Sequence, residues 1–278
     1  MRFAHIADAH IGCWRDPEMK QLSVKALRQA CDTTIEENLD FLLIAGDLFH
    51  TAIPSLDLVK AVVRKLQAVK DAGIPTYFIA GSHDFSPTGK TMLDVIEEAD
   101  LGRNVTQGTI TEDGELSLDF TTDPETGVKL TGMIGKKGML DQQHYDDLQR
   151  APLKAENGEK IFLFHTAIDQ LKPASIPMET NPINIFPEGF DYYAGGHVHI
   201  VREANYDDEG YPNVIYPGPL FPTNFSELET LGHGGFYIYD DGDLRREQIN
   251  LKPVTSVTVN VDDEQPETVH ESIRERLD

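Results

Sequence analysis

The chain of 278 residues is short of several things. Two cysteines, Cys13 and Cys31, are too few for a disulfide framework, and a reducing compartment is the simpler expectation. No apolar run reaches the roughly 18 residues that cross a bilayer, so no membrane partner is expected. Met1-Arg2 leads into Phe3-Ala4-His5-Ile6-Ala7 and meets Asp8 too soon for the apolar core of a signal peptide, which points to the cytoplasm. Positive charge is scarce: 24 Lys and Arg face 47 Asp and Glu, a net charge of -23. Taken alone, this argues against a phosphate backbone as partner, because such binding draws on clustered Lys and Arg. The basic groups present, Lys136-Lys137, Arg245-Arg246 and Arg64-Lys65, are small. A solvated acidic surface is the plain reading of the charge, although bound divalent cations can still make one cleft positive.

What the chain has in abundance is one repeated pattern. Phe41-Leu42-Leu43-Ile44-Ala45 is a continuous apolar run that closes in Gly46-Asp47-Leu48-Phe49-His50. It reads as a parallel strand buried on both faces. Asp47 then stands at the carboxyl end of the strand, where open α/β sheets bind their ligands. A single Asp after a strand is ordinarily a turn or cap residue. The pattern recurs, however. Residues 2–7 read as a strand that ends in Asp8-Ala9-His10, whose first and third side chains point the same way. Residues 76–80 lead to Gly81-Ser82-His83-Asp84, residues 160–164 to His165, and residues 190–194 to Gly195-Gly196-His197-Val198-His199.

Helical periodicity over 19–37 and 55–73 supplies the crossovers, with a short helix over 91–98, short strands and turns over 104–135, and a surface helix over 136–150. Residues 235–239 pair with 244–249 across Asp241-Gly242. These elements make one α/β domain over residues 1–250. Residues 256–261 alternate as a strand, and Pro266 opens a helix with Val269, Ile273 and Leu277 on one face, so 251–278 reads as the start of a second small α+β unit.

Six of the ten histidines fall at the strand ends or in the Leu48-Phe49-His50 tail. Imidazoles mixed with carboxylates suit manganese, iron or zinc better than calcium or magnesium. Enough groups converge to hold two ions about 3.5–4 Å apart with one bridging carboxylate, for which the central Asp47 is the choice. The reaction class is metal-assisted phosphoester hydrolysis.

Asp8-Ala9-His10, Gly46-Asp47, Gly81-Ser82-His83-Asp84, His165 and Gly196-His197-Val198-His199, in this order, resemble the calcineurin-like metallophosphoesterases. The flanks, with Tyr216-Pro217-Gly218 followed by Phe225-Ser226-Glu227, are similar to the archaeal nuclease subunit of the DNA double-strand-break repair complex, the meiotic-recombination-eleven family. The resemblance implies a four-layer α/β/β/α sandwich followed by an incomplete DNA-binding capping domain. It implies a manganese-dependent nuclease, exonuclease on duplex ends and endonuclease on single strands, working in the cytoplasm at the nucleoid. It also implies a homodimer through the helices near 55–70 and 91–98, and a coiled-coil ABC-type repair ATPase as partner.

By the same resemblance, Asp8, His10, Asp47 and His199 hold one metal. Asp47, Ser82, His165 and His197 hold the other. His83 acts on the transition state or the leaving oxygen, with Asp84 able to orient it, and His50 orients the phosphate. The chain departs from the superfamily at Ser82, where Asn is usual; a hydroxyl is a shorter and weaker ligand than an amide oxygen. Whether the second metal is then held directly, through water or loosely stays open. Two other readings follow: a phosphodiesterase or phosphatase for small molecules, suggested by the acidity, and a dimeric scaffold for DNA ends and the ATPase, suggested by Ser82. His5 is expected to pack within the first strand, Cys13 to be a buried thiol, and His144, His233 and His270 to lie on the surface. Trp14 is a wall or core residue, or a platform for a nucleobase.

Overall fold

A computed structural model describes residues 1–85, 90–135, 144–172, 178–259 and 266–277. The apolar runs form the strands expected of them: β1 (Arg2–Ile6), β2 (Phe41–Ala45) and β3 (Thr76–Ile79) are almost wholly buried and pair in parallel. The first six-stranded sheet adds β4 (Arg103–Asn104) beside β3 and, on the other edge, the antiparallel hairpin β13 (Gly234–Asp240) and β14 (Asp243–Ile249). The second sheet is ordered β11 (Val201–Tyr206), β12 (Tyr211–Pro217), β10 (Tyr192–Gly196), β9 (Lys160–His165), β8 (Lys129–Gly132) and β7 (Thr121–Thr122). Its central strands β8, β9, β10 and β12 are parallel, as strands covered on both faces tend to be. A two-stranded ribbon, β5 (Gly108–Ile110) and β6 (Leu116–Leu118), stands apart.

The two large sheets pack face to face through alternate side chains of their strands. Phe3, Phe41, Leu43, Tyr77, Ile161, Leu163, Tyr192 and Ile215 fill this layer, and Phe3 stacks on Phe41 at 4.9 Å while meeting Tyr192 edge-on at 5.0 Å. The other faces are covered by helices. Helix α1 (Pro17–Glu36) starts at the Asp16 cap, whose side chain accepts the Met19 N–H at 2.9 Å, with Pro17 in the first turn. It packs with α2 (Leu56–Asp71) and α3 (Met92–Glu98) on the first sheet. Leu153, from the helix Arg150–Ala155, joins Ile183 and Ile185 on the second. The result is the α/β/β/α order that the resemblance implies.

One expectation needs correction. Of the helix placed over 136–150, residues 144–146 are helical and 136–143 lie outside the described residues; a separate short helix, Arg150–Ala155, follows, where Arg150 anchors the start by donating to the Tyr145 and Ile185 carbonyls at 2.6 and 2.7 Å. The strand over 256–261 is not formed in its described part, 256–259, and residues 260 and 261 lie outside the described residues. The helix Pro266–Leu277 is present. Among the described residues no helix is long and apolar enough to cross a membrane.

Candidate metal centre

Both sheets aim the carboxyl ends of their central strands at one place. The loop after β1 lies along the loop after β2: the Asp8 N–H donates to the Gly46 carbonyl at 3.2 Å, His10 to Asp47 at 2.9 Å and Ile11 to Leu48 at 3.0 Å. The turns that carry the candidate ligands are left-handed, with φ of 49° at Asp8, 40° at His10, 52° at Asp47, 98° at His197 and 55° at His199. Such backbone costs roughly 1–3 kcal/mol per residue and gathers at functional sites. Gly46, at φ 87°, allows the closest approach between the sheets: a Cβ there would stand 2.2 Å from His165 Nδ1. A Cβ at Gly81 would stand 2.3 Å from the Asp47 backbone nitrogen and carboxylate.

Among the described residues, three groupings of side chains bring their ligand atoms within 4.8 Å of one another: Asp8, His10 and His199; Asp8, Asp47 and His165; and His10, His50 and His83. Nε2 of His10 faces Nε2 of His199 at 2.9 Å and Asp47 Oδ2 at 3.5 Å. His165 Nε2 lies 3.2 Å from Asp47 Oδ2 and 4.0 Å from Asp8 Oδ1, and His199 Nε2 lies 3.7 Å from Asp8 Oδ1. Asp8 and Asp47 therefore both reach across the two groups of imidazoles. His197 joins none of the three groupings. Its N–H donates to both Asp8 oxygens at 3.0 Å and its ring meets that of His165 edge-on at 5.1 Å. Ser82 is buried in the turn after β3, between Gly81 and His83.

The donor set fits divalent cations. His165 Nδ1 donates to the Ala45 carbonyl at 2.8 Å, so that in the neutral ring the lone pair is on Nε2, which is wholly buried and 3.2 Å from Asp47 Oδ2. A buried nitrogen of this kind calls for a partner. Burial pushes His10 well below the usual imidazole range and His197 down to about 3, so both stay neutral and able to ligate. Burial also opposes charge on His165 and His199, yet the carboxylates prevail. Asp47 and Asp8 hold His165 up to about 9, and Asp8 and Glu227 raise His199. Burial pushes both site aspartates up, and for Asp8 it wins. For Asp47 the neighbouring His165 and His10 and the His83 N–H win, and it is held below the usual carboxylate range.

His83 and His50 stand beside this group. Their rings stack at 4.9 Å, His83 Nδ1 donates to the His50 carbonyl at 2.9 Å, and the His83 N–H donates to Asp47 Oδ1 at 2.7 Å. The expectation that Asp84 orients His83 is corrected. The buried Asp84 carboxylate accepts the N–H groups of Leu48 (3.2 Å), Phe49 (3.0 Å) and Gly81 (3.1 Å), and so ties the loop after β2 to the loop after β3. Burial, reinforced by Asp47, pushes it up to about 7 against the pull of those donors.

Sequence reasoning quoted Glu227 only as part of a flank. It lies against His199, whose Nδ1 is 2.9 Å from Oε1. The helix Phe225–Leu231 is capped by Asn224 with Glu at the third helical position, the capping-box spacing that turns a glutamate back toward the preceding loop, and that spacing was the available signal. His5 is fully buried, 3.0 Å from the Tyr192 hydroxyl. Trp14 is a core residue, buried and donating to the Pro222 carbonyl at 2.9 Å. Cys13 is half-buried, and burial pushes its thiol up to about 12. His144 and His233 are half-buried and His270 is exposed.

A family model of the calcineurin-like phosphoesterases matches residues 1–201. The chain belongs to that family. Among curated proteins, this phosphoesterase is 27% identical to the DNA double-strand break repair protein Mre11 of Archaeoglobus fulgidus, over 79% of this chain and 50% of that one. It is 27% identical to the protein of that name from Methanococcus maripaludis, over 86% and 63%, and to that of Sulfurisphaera tokodaii, over 99% and 69%. The chain thus spans about half to two thirds of the length of these relatives. Among solved structures, a dimetal phosphatase from Danio rerio superposes with a TM-score of 0.54 over 89% of this chain and 95% of that one. At 11% identity, that likeness bears on the fold alone.

Proposed function

We propose that the chain is a manganese-dependent DNA nuclease that processes the ends of double-strand breaks, cutting duplex ends as an exonuclease and single strands as an endonuclease. The observation that carries this reading is the meeting of Asp8, His10, Asp47, His165 and His199 from both sheets in groupings no wider than 4.8 Å. The similarity to archaeal repair proteins over most of the chain supports DNA as the substrate. In this reading Asp8, His10, Asp47 and His199 hold one cation, and Asp47, Ser82, His165 and His197 the other, with Asp47 as the bridge. Bound there, the cations supply Lewis acidity for activating water and neutralising a phosphoryl oxygen.

The rest of the work falls to the chain. His83, its Nδ1 proton committed to the His50 carbonyl, acts as an imidazolium whose Nε2 proton passes to the leaving oxygen, which leaves the ring neutral. His50, stacked on His83, orients the phosphate. Ile53 (84% exposed), Leu56 (79%) and Val95 (53%) leave apolar surface on and beside α2 and α3, which supports a homodimer through those helices. Residues 251–278 begin the capping domain, and a coiled-coil ABC-type ATPase completes the assembly at the nucleoid.

The net charge of -23 favours a second reading, hydrolysis of small phosphoesters. Cleavage of a linear, end-labelled duplex with Mn2+ separates the two. The nuclease reading expects cleavage by the parent, a loss of about 100-fold or more in His83→Ala, and kept or raised activity in Ser82→Asn. Turnover of nucleotide monoesters with untouched DNA would replace it by the second reading. Activity in Ser82→Asn alone would favour the scaffold.

A further inference from the structure

Glu227 comes from no strand end, yet it is in direct contact with a ligand of the metal centre. Its Oε1 is 2.9 Å from His199 Nδ1. A carboxylate only accepts, so the imidazole donates from Nδ1 and its lone pair is on Nε2, the atom that faces His10 Nε2 at 2.9 Å and Asp8 Oδ1 at 3.7 Å.

The carboxylate is itself held from several sides. Oε2 accepts the Thr223 N–H at 2.7 Å, the Thr223 hydroxyl lies 2.9 and 3.0 Å from the two oxygens, and Asn224 Nδ2 donates to Oε1 at 2.7 Å. The loop that bears these groups is bound in turn to the loop that bears His10, through the Trp14 indole on the Pro222 carbonyl at 2.9 Å.

His199 has a particular need of such support. The ring of His165 is wholly buried and fixed by a backbone carbonyl of β2. His199 is 19% exposed and rides on a left-handed turn at φ 55°. A ring at the rim of the site can turn or change tautomer unless its far nitrogen is tied.

We propose that Glu227 is a positioning residue of the metal centre, which fixes the tautomer and orientation of His199 so that Nε2 meets the cation shared with Asp8 and His10. The proposal rests on the dimetal reading given above. Carboxylates in this outer position commonly govern 10–100-fold in metal affinity or activity.

The test is Mn2+ binding to the whole chain, followed by the electron paramagnetic resonance of free Mn2+, for the parent, Glu227→Gln, His199→Ala and the double variant. The expected result is a dissociation constant raised about 10–100-fold for one ion in Glu227→Gln and changed less than about twofold for the other. In the His199→Ala background, Glu227→Gln adds nothing. Thr223→Val, which only loosens the carboxylate, shifts the same ion in the same direction by less. Melting in chelator keeps Glu227→Gln within about 2 °C of the parent, which separates positioning from loss of the helix cap. Equal affinity of Glu227→Gln and the parent for both ions overturns the proposal, as does an undiminished effect without His199. A parent that binds no Mn2+ overturns the dimetal reading first, before any variant is compared.

Discussion

The Asp84 carboxylate accepts the Phe49 N–H at 3.0 Å, and with Leu48 and Gly81 it holds three backbone amides of two different loops. Those loops carry Asp47, Ser82 and His83. Asp84→Ala leaves the amides buried and unpaired, at roughly 1–3 kcal/mol each if no water enters. We expect a loss of about 4 kcal/mol in urea unfolding and a matching fall in phosphoesterase activity. A variant within 1 kcal/mol of the parent would show the loops to be held by something else.

Salt should act on this protein in the direction opposite to that of a basic nuclease. With a net charge of -23 the surface repels a polyanion at a distance, and added salt shortens that repulsion. Cleavage of duplex DNA at low substrate is expected to hold or rise between about 50 and 500 mM KCl, while turnover of a nucleotide monoester changes little. A fall of tenfold or more over that range would reveal a positive DNA track that the composition hides.

His5 is wholly buried between the sheets, and burial lowers it to about 3 from the ordinary 6.5. Above pH 6.5 neither the folded nor the unfolded chain protonates it. Below that value the unfolded chain takes up the proton and the folded one does not, until about pH 3. Stability therefore declines as pH falls through this window, by about 1.4 kcal/mol per unit for this one group. His5→Gln, which keeps a polar partner for Tyr192 without titrating, should flatten the acid limb by that amount between about pH 6 and 4 in urea titrations run with chelator. An unchanged limb would assign it to other groups.

Chelation should lower thermal stability. Cations that bind only the folded chain add RT ln(1 + [L]/Kd), about 2.7 kcal/mol per site at a hundredfold excess over Kd. For a domain of this size that is roughly 5–10 °C per site. Differential scanning with Mn2+ and then with chelator measures it, and His165→Ala should abolish part of the difference. No shift in the parent would argue that no cation is held.

The strand ends could be read from the sequence because the signal is local. An apolar run buried on both faces must be polar where it stops, and Gly46-Asp47, Gly81-Ser82-His83 and Gly196-His197-Val198-His199 repeat that stop with side chains that ligate metals. The partners across the fold could not. Glu227 meets His199 over 28 residues of chain, and Asp84 reaches Phe49 over 35; neither contact leaves a periodicity. Adjacency in sequence ties Asp84 to His83, and the fold instead turns its carboxylate to the amides of Leu48, Phe49 and Gly81. The alternation over 256–259 misleads for the opposite reason: a local pattern favours a strand, but packing around it decides whether one forms.

The site belongs to neither sheet. Asp8, His10 and Asp47 follow strands of one, His165 and His199 follow strands of the other, and Gly46 lets the two come within reach. A seam displaced by one residue would part Asp47 from His165 while leaving each sheet internally sound. The centre thereby acts as a gauge of assembly: a chain whose halves have met wrongly cannot bring these carboxylates and imidazoles together, and the phosphoesterase centre exists only once the fold is correctly built.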